Sequence, residues 1–212
     1  MTDSERFELD FSEAKTIPID LSNTRIAEPG AAHRLANIWS FSAPPGHNNA
    51  SGPCALGTVL HFYGIGWNHL PREQNGRPVN DPFVEELIRW SNTPNLLSGS
   101  LGTSPAMMLA SLHKAELNAN WYAGNPKEQT MQLIEDEIRL GQPVIVLINH
   151  GPSGHPLLLE WQVAFQIEDN MIWTKHCAGR NAEKRWPIEK FLNSLEMDLP
   201  QLSGSVITIQ KE

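Results

Sequence analysis

The stretch from Asn48 to Gly64 passes from small polar residues into a run with apolar residues at helical spacing. The apolar positions are Ala55, Leu56, Val59, Leu60 and Tyr63. Their spacing predicts a buried helix that shows this face to the core, and Gly64 is a typical helix end. Gly52 and Pro53 indicate a loop leading into the first helical turn.

Three more segments have the amphipathic pattern of helices, and each follows a capping residue and a proline. They begin at Asp81-Pro82, Ser104-Pro105 and Asn125-Pro126. After Gly141 the pattern becomes β-rich. The predicted strands are Val144–Ile148, Leu157–Ile167, Met171–Cys177 and Ser205–Ile209, with a short helix over Pro187–Leu195. Helices followed by an antiparallel sheet predict an α+β fold.

Residues 1–47 alternate only weakly and are interrupted by prolines, so we expect an extended arm or edge strands there. Residues 48–212 are then one domain, and the 212-residue chain is a single domain overall. The sequence does not indicate an oligomeric state.

The charge and the cysteine content exclude several classes of protein. A net charge of -8 without a basic run argues against nucleic acid as a partner. The longest apolar run, Val144–Ile148, is far shorter than a membrane span needs, so we expect no membrane partner. Two cysteines without a disulfide framework suggest the cytoplasm, or export without a cleaved signal. The histidines lack metal-ligand spacing, and we expect neither metal nor cofactor.

Cys54 is the first candidate for chemistry. If Pro53 occupies the first helical turn, Cys54 lies at the helix N-terminus, where the helix dipole favours an anion. Such a position lowers the pKa of a thiol and makes it a nucleophile. The alternative is a buried structural cysteine, a common place for this residue type.

Four segments stand out in chain order: Ser51–Ala55, the helix ending in Phe-Tyr-Gly, the run Gly-Gln-Pro-Val-Ile-Val-Leu-Ile and the run Glu-Trp-Gln-Val-Ala-Phe-Gln-Ile. Together they resemble the papain-like cysteine proteases. The resemblance is closest to the bacterial peptidases that trim double-glycine leaders. It implies a helical half, with a central nucleophile helix, packed on an antiparallel sheet. It also implies a peptide or protein substrate.

The family has a cysteine at the start of the central helix, an oxyanion glutamine six residues before it, and a histidine and an Asn or Asp on two successive strands. This resemblance assigns the nucleophile to Cys54 and the oxyanion donor to Asn48. Glu160 falls at the histidine position and His176 at the Asn or Asp position. Microbial transglutaminase has the same exchange, so a Cys54–His176–Glu160 triad is our first hypothesis.

Strand parity supports a paired role for Glu160. It shares one strand face with Gln162, Ala164 and Gln166, while the large apolar residues share the other face. The alternatives are that Glu160 is a solvated outward residue and that His176 is an ordinary loop or core histidine. His150 and His155, in the preceding loop, are alternative bases, and Cys177 could approach Cys54 and form a disulfide.

A second register fits the leader peptidases, which carry Cys-Gly-Pro. It places Ser51 at the nucleophile position and Cys54 one turn into the helix. Two functions follow, and the second is supported mainly by Glu160 at the histidine position, with Ser51 in this register adding to it. One is a thiol hydrolase or acyltransferase, meaning a peptidase, amidase, deamidase or transglutaminase-like enzyme that acts on an amide bond. The other is a catalytically inactive papain-like module that binds a peptide.

Overall fold

The computed structural model describes residues 14–15, 35–47, 49–67, 69–93, 102–150, 159–197 and 200–210. Within these ranges the helices are α1 (Ser51–Phe62), α2 (Asn80–Trp90), α3 (Pro105–Lys114), α4 (Lys127–Arg139) and α5 (Ile188–Ser194). The strands are β1 (Ala14–Lys15), β2 (Asn118–Tyr122), β3 (Val144–Asn149), β4 (Leu159–Glu168), β5 (Met171–Lys175), β6 (Glu183–Pro187) and β7 (Val206–Gln210). The predicted α+β class is confirmed, although β2 lies between α3 and α4 in the chain.

The strands form one sheet in the order β1-β2-β7-β3-β4-β5-β6. All neighbouring pairs are antiparallel except β1 and β2, which are parallel. β3 and β4 pair along the whole of β3, and Ile148 lies opposite Glu160. This register brings the end of β3 beside the start of β4, where Glu160 lies.

Each face of the sheet is covered by a separate apolar cluster. On one face Trp161 and Val163 of β4 pack in the same cluster as Leu56 and Leu60 of α1. On the other face Ala164 clusters with residues of β3 and of helices α4 and α5. This alternation follows from the two-residue period of a strand, in which successive side chains point to opposite faces.

The sequence patterns locate α1 to α5 and four of the strands, but β2 and β6 were not predicted. In β2 the buried residues Ala119 and Trp121 alternate with more exposed ones. The sequence shows this alternation over too few residues to predict a strand. In β6 every residue is polar or charged apart from Trp186 and Pro187, because the strand lies at the sheet edge. Polar edge strands carry little apolar signal.

Gly52 allows the start of α1 to lie directly against Thr103. A Cβ atom built on Gly52 would lie 2.1 Å from Thr103 Oγ1 and 2.4 Å from Thr103 Cβ. We therefore expect Gly52→Ala to lower the free energy of unfolding by about 2 kcal/mol, the usual cost of overpacking. Urea denaturation measures the change. Gly66→Ala, where the nearest atom would be an arginine nitrogen at 3.7 Å, is the control, and an equal loss in both variants would contradict this packing.

Candidate functional site

Helix α1 begins at Ser51, so Cys54 lies one turn inside the helix and not at its first residue. The Cys54 N–H donates to the carbonyl of Ala50 at 2.9 Å, which is an ordinary intrahelical bond. The Cys54 residue is only 3% exposed and belongs to the same apolar cluster as Leu56. The thiol is therefore a core group.

The prediction that the helix N-terminus lowers the pKa of Cys54 is wrong. Burial raises the pKa of this thiol well above its usual value, and electrostatic interaction with Cys177 and with the Glu160 carboxylate raises it further. A cysteine in apolar surroundings is held as the neutral thiol, which is a poor nucleophile. Within the described residues no hydrogen bond joins Cys54 Sγ to His176 or to another imidazole.

Ser51 occupies the helix start, where the second register places the nucleophile. Its Oγ accepts a hydrogen bond from the Trp161 N–H at 3.3 Å. Trp161 follows Glu160 directly, so the start of α1 lies beside the β4 position to which the sequence resemblance assigns a histidine. The Trp161 indole N–H donates in turn to the carbonyl of Thr103 at 2.7 Å, which joins β4 to the loop before α3.

Glu160 is the centre of a hydrogen-bond network that joins the end of β3, the start of β4 and the turn after β5. Its Oε2 accepts from His150 Nε2 at 2.6 Å and from Gln162 Nε2 at 2.8 Å. Its Oε1 accepts from the backbone N–H and the Sγ of Cys177, at 3.4 Å and 3.3 Å. Both carboxylate oxygens therefore have donors from the protein itself.

This environment fixes Glu160 as a carboxylate. Burial by itself would raise the pKa of Glu160, but the hydrogen bonds from His150, Gln162 and Cys177 and the charge of His150 lower it to about 2. The side chain is 18% exposed. A carboxylate with such a low pKa is a weak base at neutral pH.

His176 lies close to Glu160 without a direct hydrogen bond to it. The distance from His176 Nδ1 to Glu160 Oε1 is 4.0 Å, and Nδ1 accepts instead from the Ala178 N–H at 3.4 Å. Burial lowers the pKa of His176, and the positive charges of Lys184 and His150 lower it further, against the opposing effect of Glu160. These effects together favour the neutral imidazole of His176.

The structure brings Glu160 and His176 together, as the exchanged positions predict, and leaves Cys54 out of their hydrogen-bond network. Asn48, the expected oxyanion donor, lies outside the described residues, as does His155.

Cys177 is a free thiol whose pKa is raised to about 12 by burial and by the carboxylate of Glu160. Cys54 is also free, so the suggested disulfide is not formed.

The close partner of Glu160 is His150, which the sequence suggested only as an alternative base. A signal for this pairing was available, because His150 follows β3 by one residue and the β3–β4 register places Ile148 opposite Glu160. Three further members of the network were not predicted. Trp186 Nε1 donates to Thr174 Oγ1 at 3.1 Å, and Thr174 donates to Gln162 Oε1 at 2.7 Å, which orients the Gln162 amide toward Glu160.

The described residues contain no group of three or more His, Cys, Asp or Glu side chains that could hold a metal ion. Among the helices in the described ranges, none combines the length and the apolar composition of a membrane span.

Comparisons with solved structures bear on the fold. The chain superposes on the peptidase domain of Streptococcus ComA, a bifunctional ABC transporter of a quorum-sensing pathway, with a TM-score of 0.55 and 16% identity. The match covers 83% of this chain and 100% of that domain. The fold is papain-like. A C39-like peptidase from Bacillus anthracis gives a TM-score of 0.56 at 13% identity, over 84% of this chain and 96% of the other.

No protein-family model matches the chain, and no curated protein sequence matches it. The neighbours therefore establish the papain-like fold and its likeness to leader-peptidase domains, which is the family that the sequence resembles. At these identities the fold carries no assignment of catalytic residues.

Proposed function

We propose that this chain is a papain-like module that binds an extended peptide without cleaving it by a thiol mechanism. The observation that carries the proposal is the state of Cys54. This thiol is buried, its pKa is raised, and among the described residues no hydrogen bond joins it to an imidazole. Nucleophilic catalysis needs an activated nucleophile with a base beside it.

The second register supports the same proposal. Ser51 begins α1, at the position that the leader peptidases fill with cysteine. Six residues before it, where the family has its oxyanion glutamine, this chain has Pro45, whose side chain has no donor. The nucleophile, the base and the oxyanion donor of that register are thus all replaced, while the fold of the peptidase domain is retained.

The thiol hydrolase or acyltransferase with a Cys54–His176–Glu160 triad is the second candidate. One observation favours it: His176 Nδ1 lies 4.0 Å from Glu160 Oε1, so an exchanged base and acid are already neighbours. Catalytic hydrogen bonds are often long in the absence of substrate. For this candidate Cys54 would have to leave the apolar cluster and reach the imidazole.

Incubation with a mixture of synthetic peptides, followed by mass spectrometry of the retained and released fractions, separates the two candidates. We expect the chain to retain a subset of the peptides at their full mass. Cys54→Ala is the matched variant, since it removes the thiol from a core position and keeps a small apolar group there. It should retain the same peptides. Fragments or acylated products formed by the unaltered chain and absent with Cys54→Ala would refute the binding proposal.

A further inference from the structure

The segment that holds β5, β6 and the first residues of α5 carries a local charge opposite to that of the whole chain. From Met171 to Lys190 there are five lysines and arginines and two glutamates, although the chain has a net charge of -8. Lys175 is buried and binds Asn181 Oδ1 at 3.0 Å and Glu183 Oε2 at 3.3 Å, so it is not part of the surface. Exposed and half-exposed cations provide the positive surface, and we call Lys184 and Arg185 of β6 the basic edge.

β6 is the last strand in the described sheet, and part of its backbone faces outward. The His176 N–H donates to the carbonyl of Ala182, and the Ile188 N–H donates to the carbonyl of Asn170. Even-numbered residues therefore direct their backbone groups toward β5, because such groups alternate along an antiparallel pair. Glu183 and Arg185 direct theirs away from it, and no strand of the described ranges pairs with that side.

The basic edge presents one cation on each face of the sheet. Lys184 Nζ lies 3.5 Å from the centre of the Trp186 ring, and Arg185 Cζ lies 5.5 Å from the centre of the Trp173 ring. Arg185 is 66% exposed in its side chain, and its Nε is 3.7 Å from Glu183 Oε1, a carboxylate that Lys175 also contacts. The aromatic rings hold both cations close to the strand.

The basic edge is continuous with the candidate site. The ring of His150, which donates to Glu160, stacks on Trp186 with 5.9 Å between ring centres. Trp186 also supports Lys184 and donates to Thr174. A ligand that lies along β6 would therefore pass beside the His150–Glu160 pair.

We propose that β6 binds an extended acidic peptide as an additional strand, with two adjacent acidic residues of the peptide paired with Lys184 and Arg185. The inference rests on the proposed peptide-binding function and names its ligand class. Backbone groups of an exposed edge supply affinity in this mode of recognition, and side chains supply specificity. Because successive side chains of a strand point to opposite faces, cations on both faces select acidic residues at successive positions.

Lysine, arginine and proline on an edge strand also protect it from pairing with itself or with neutral strands. In β6 these residue types are Lys184, Arg185 and Pro187, and Pro187 has no N–H to offer to a further strand on the outward side. Protection and selection are compatible here, since the charges that repel a second β6 strand attract an acidic one.

Two fluorescein-labelled peptides of valine and threonine test the proposal, one with a central Glu-Glu pair and one with a central Lys-Lys pair. Fluorescence anisotropy with the full chain should show the acidic peptide binding at least about tenfold more tightly, with an advantage that falls as salt is added. Lys184→Glu/Arg185→Glu should abolish this preference or reverse it.

Lys114→Glu is the matched control, because Lys114 also lies over a tryptophan ring, that of Trp90, but on α3. It should keep the preference for the acidic peptide. Circular dichroism checks that the double variant is folded, and Lys184→Gln/Arg185→Gln gives an intermediate step. If both peptides bind equally well, the specificity for acidic residues is overturned but the proposed peptide-binding function is not. If neither peptide binds, the result counts against the proposed peptide-binding function as well. An equal effect of Lys114→Glu would overturn the role of β6.

Discussion

Glu160→Gln should lower the free energy of unfolding by about 3 kcal/mol at neutral pH. The pKa of Glu160 falls from an ordinary 4.5 to about 2 in the folded chain, and each pKa unit corresponds to about 1.4 kcal/mol. The side chain is only 18% exposed, so screening by water is limited. Glutamine keeps the shape of the side chain but replaces one carboxylate oxygen, an acceptor, with an amide NH2 group, a donor. In one orientation this NH2 group faces the donors of His150 and Gln162, and in the other it faces the donors of Cys177.

The lowered pKa of Glu160 also predicts how the stability loss in Glu160→Gln depends on pH. A carboxylate with a lowered folded pKa stabilises the fold above its unfolded pKa, and that stability is lost as the pH falls through the folded value. The unaltered chain and Glu160→Gln should thus differ less and less in unfolding free energy as the pH falls below 4.5. The difference should approach zero at a pH of about 2. Glu168→Gln is the control on the same strand, where the carboxylate is exposed and accepts from Gln166. A constant difference across this range would contradict the lowered pKa.

The second large effect is expected from restoring the family residues in the Ser51 register. Ser51→Cys/Glu160→His/His176→Asp places a thiol at the start of α1, a histidine on β4 and an acid after β5. Ser51 Oγ already contacts the backbone of the residue next to Glu160, so the new thiol and imidazole start close together. We expect alkylation at position 51 by iodoacetamide at pH 7 to be about tenfold faster than for Ser51→Cys alone, because an adjacent imidazolium lowers the pKa of a thiol.

The double variant Glu160→His/His176→Asp measures the background from Cys54 and Cys177, and tryptic mass spectrometry assigns the alkylated cysteine. A triple variant that reacts no faster than Ser51→Cys would argue against the Ser51 register. Because loss of the Glu160 network destabilises the triple variant, the rates are compared only where circular dichroism shows folded protein.

The apolar pattern was sufficient to predict the helices and the central strands, because both are buried on a face that repeats with the period of the element. Val144–Asn149 and Leu159–Glu168 lie within a residue or two of their predicted limits at the ends that can be compared. β6 escaped prediction because an edge strand with Lys184 and Arg185 has no continuous apolar face.

The site was predictable only in part. The strand pairing that brings Glu160 near His176 followed from the resemblance and from strand parity. The burial of Cys54 could not be predicted from the sequence, because it depends on the residue at which α1 begins. A start at Ser51 moves Cys54 by one turn and into the cluster with Leu56, and the single residue Pro53 could not distinguish the two starts. The pairing of Glu160 with His150 depends on the tertiary register of β3 and β4.

The rate of iodoacetamide alkylation of Cys54, measured from about pH 6 to 9 in a Cys177→Ser background, tests the central claim most directly. Serine keeps a donor toward Glu160 and leaves Cys54 as the only thiol. We predict rates below those of free cysteine, whose pKa is about 8.5, rising through the whole range and unchanged by His176→Ala. A plateau with an apparent pKa below that of free cysteine, lost in His176→Ala, would show that Cys54 is an activated nucleophile.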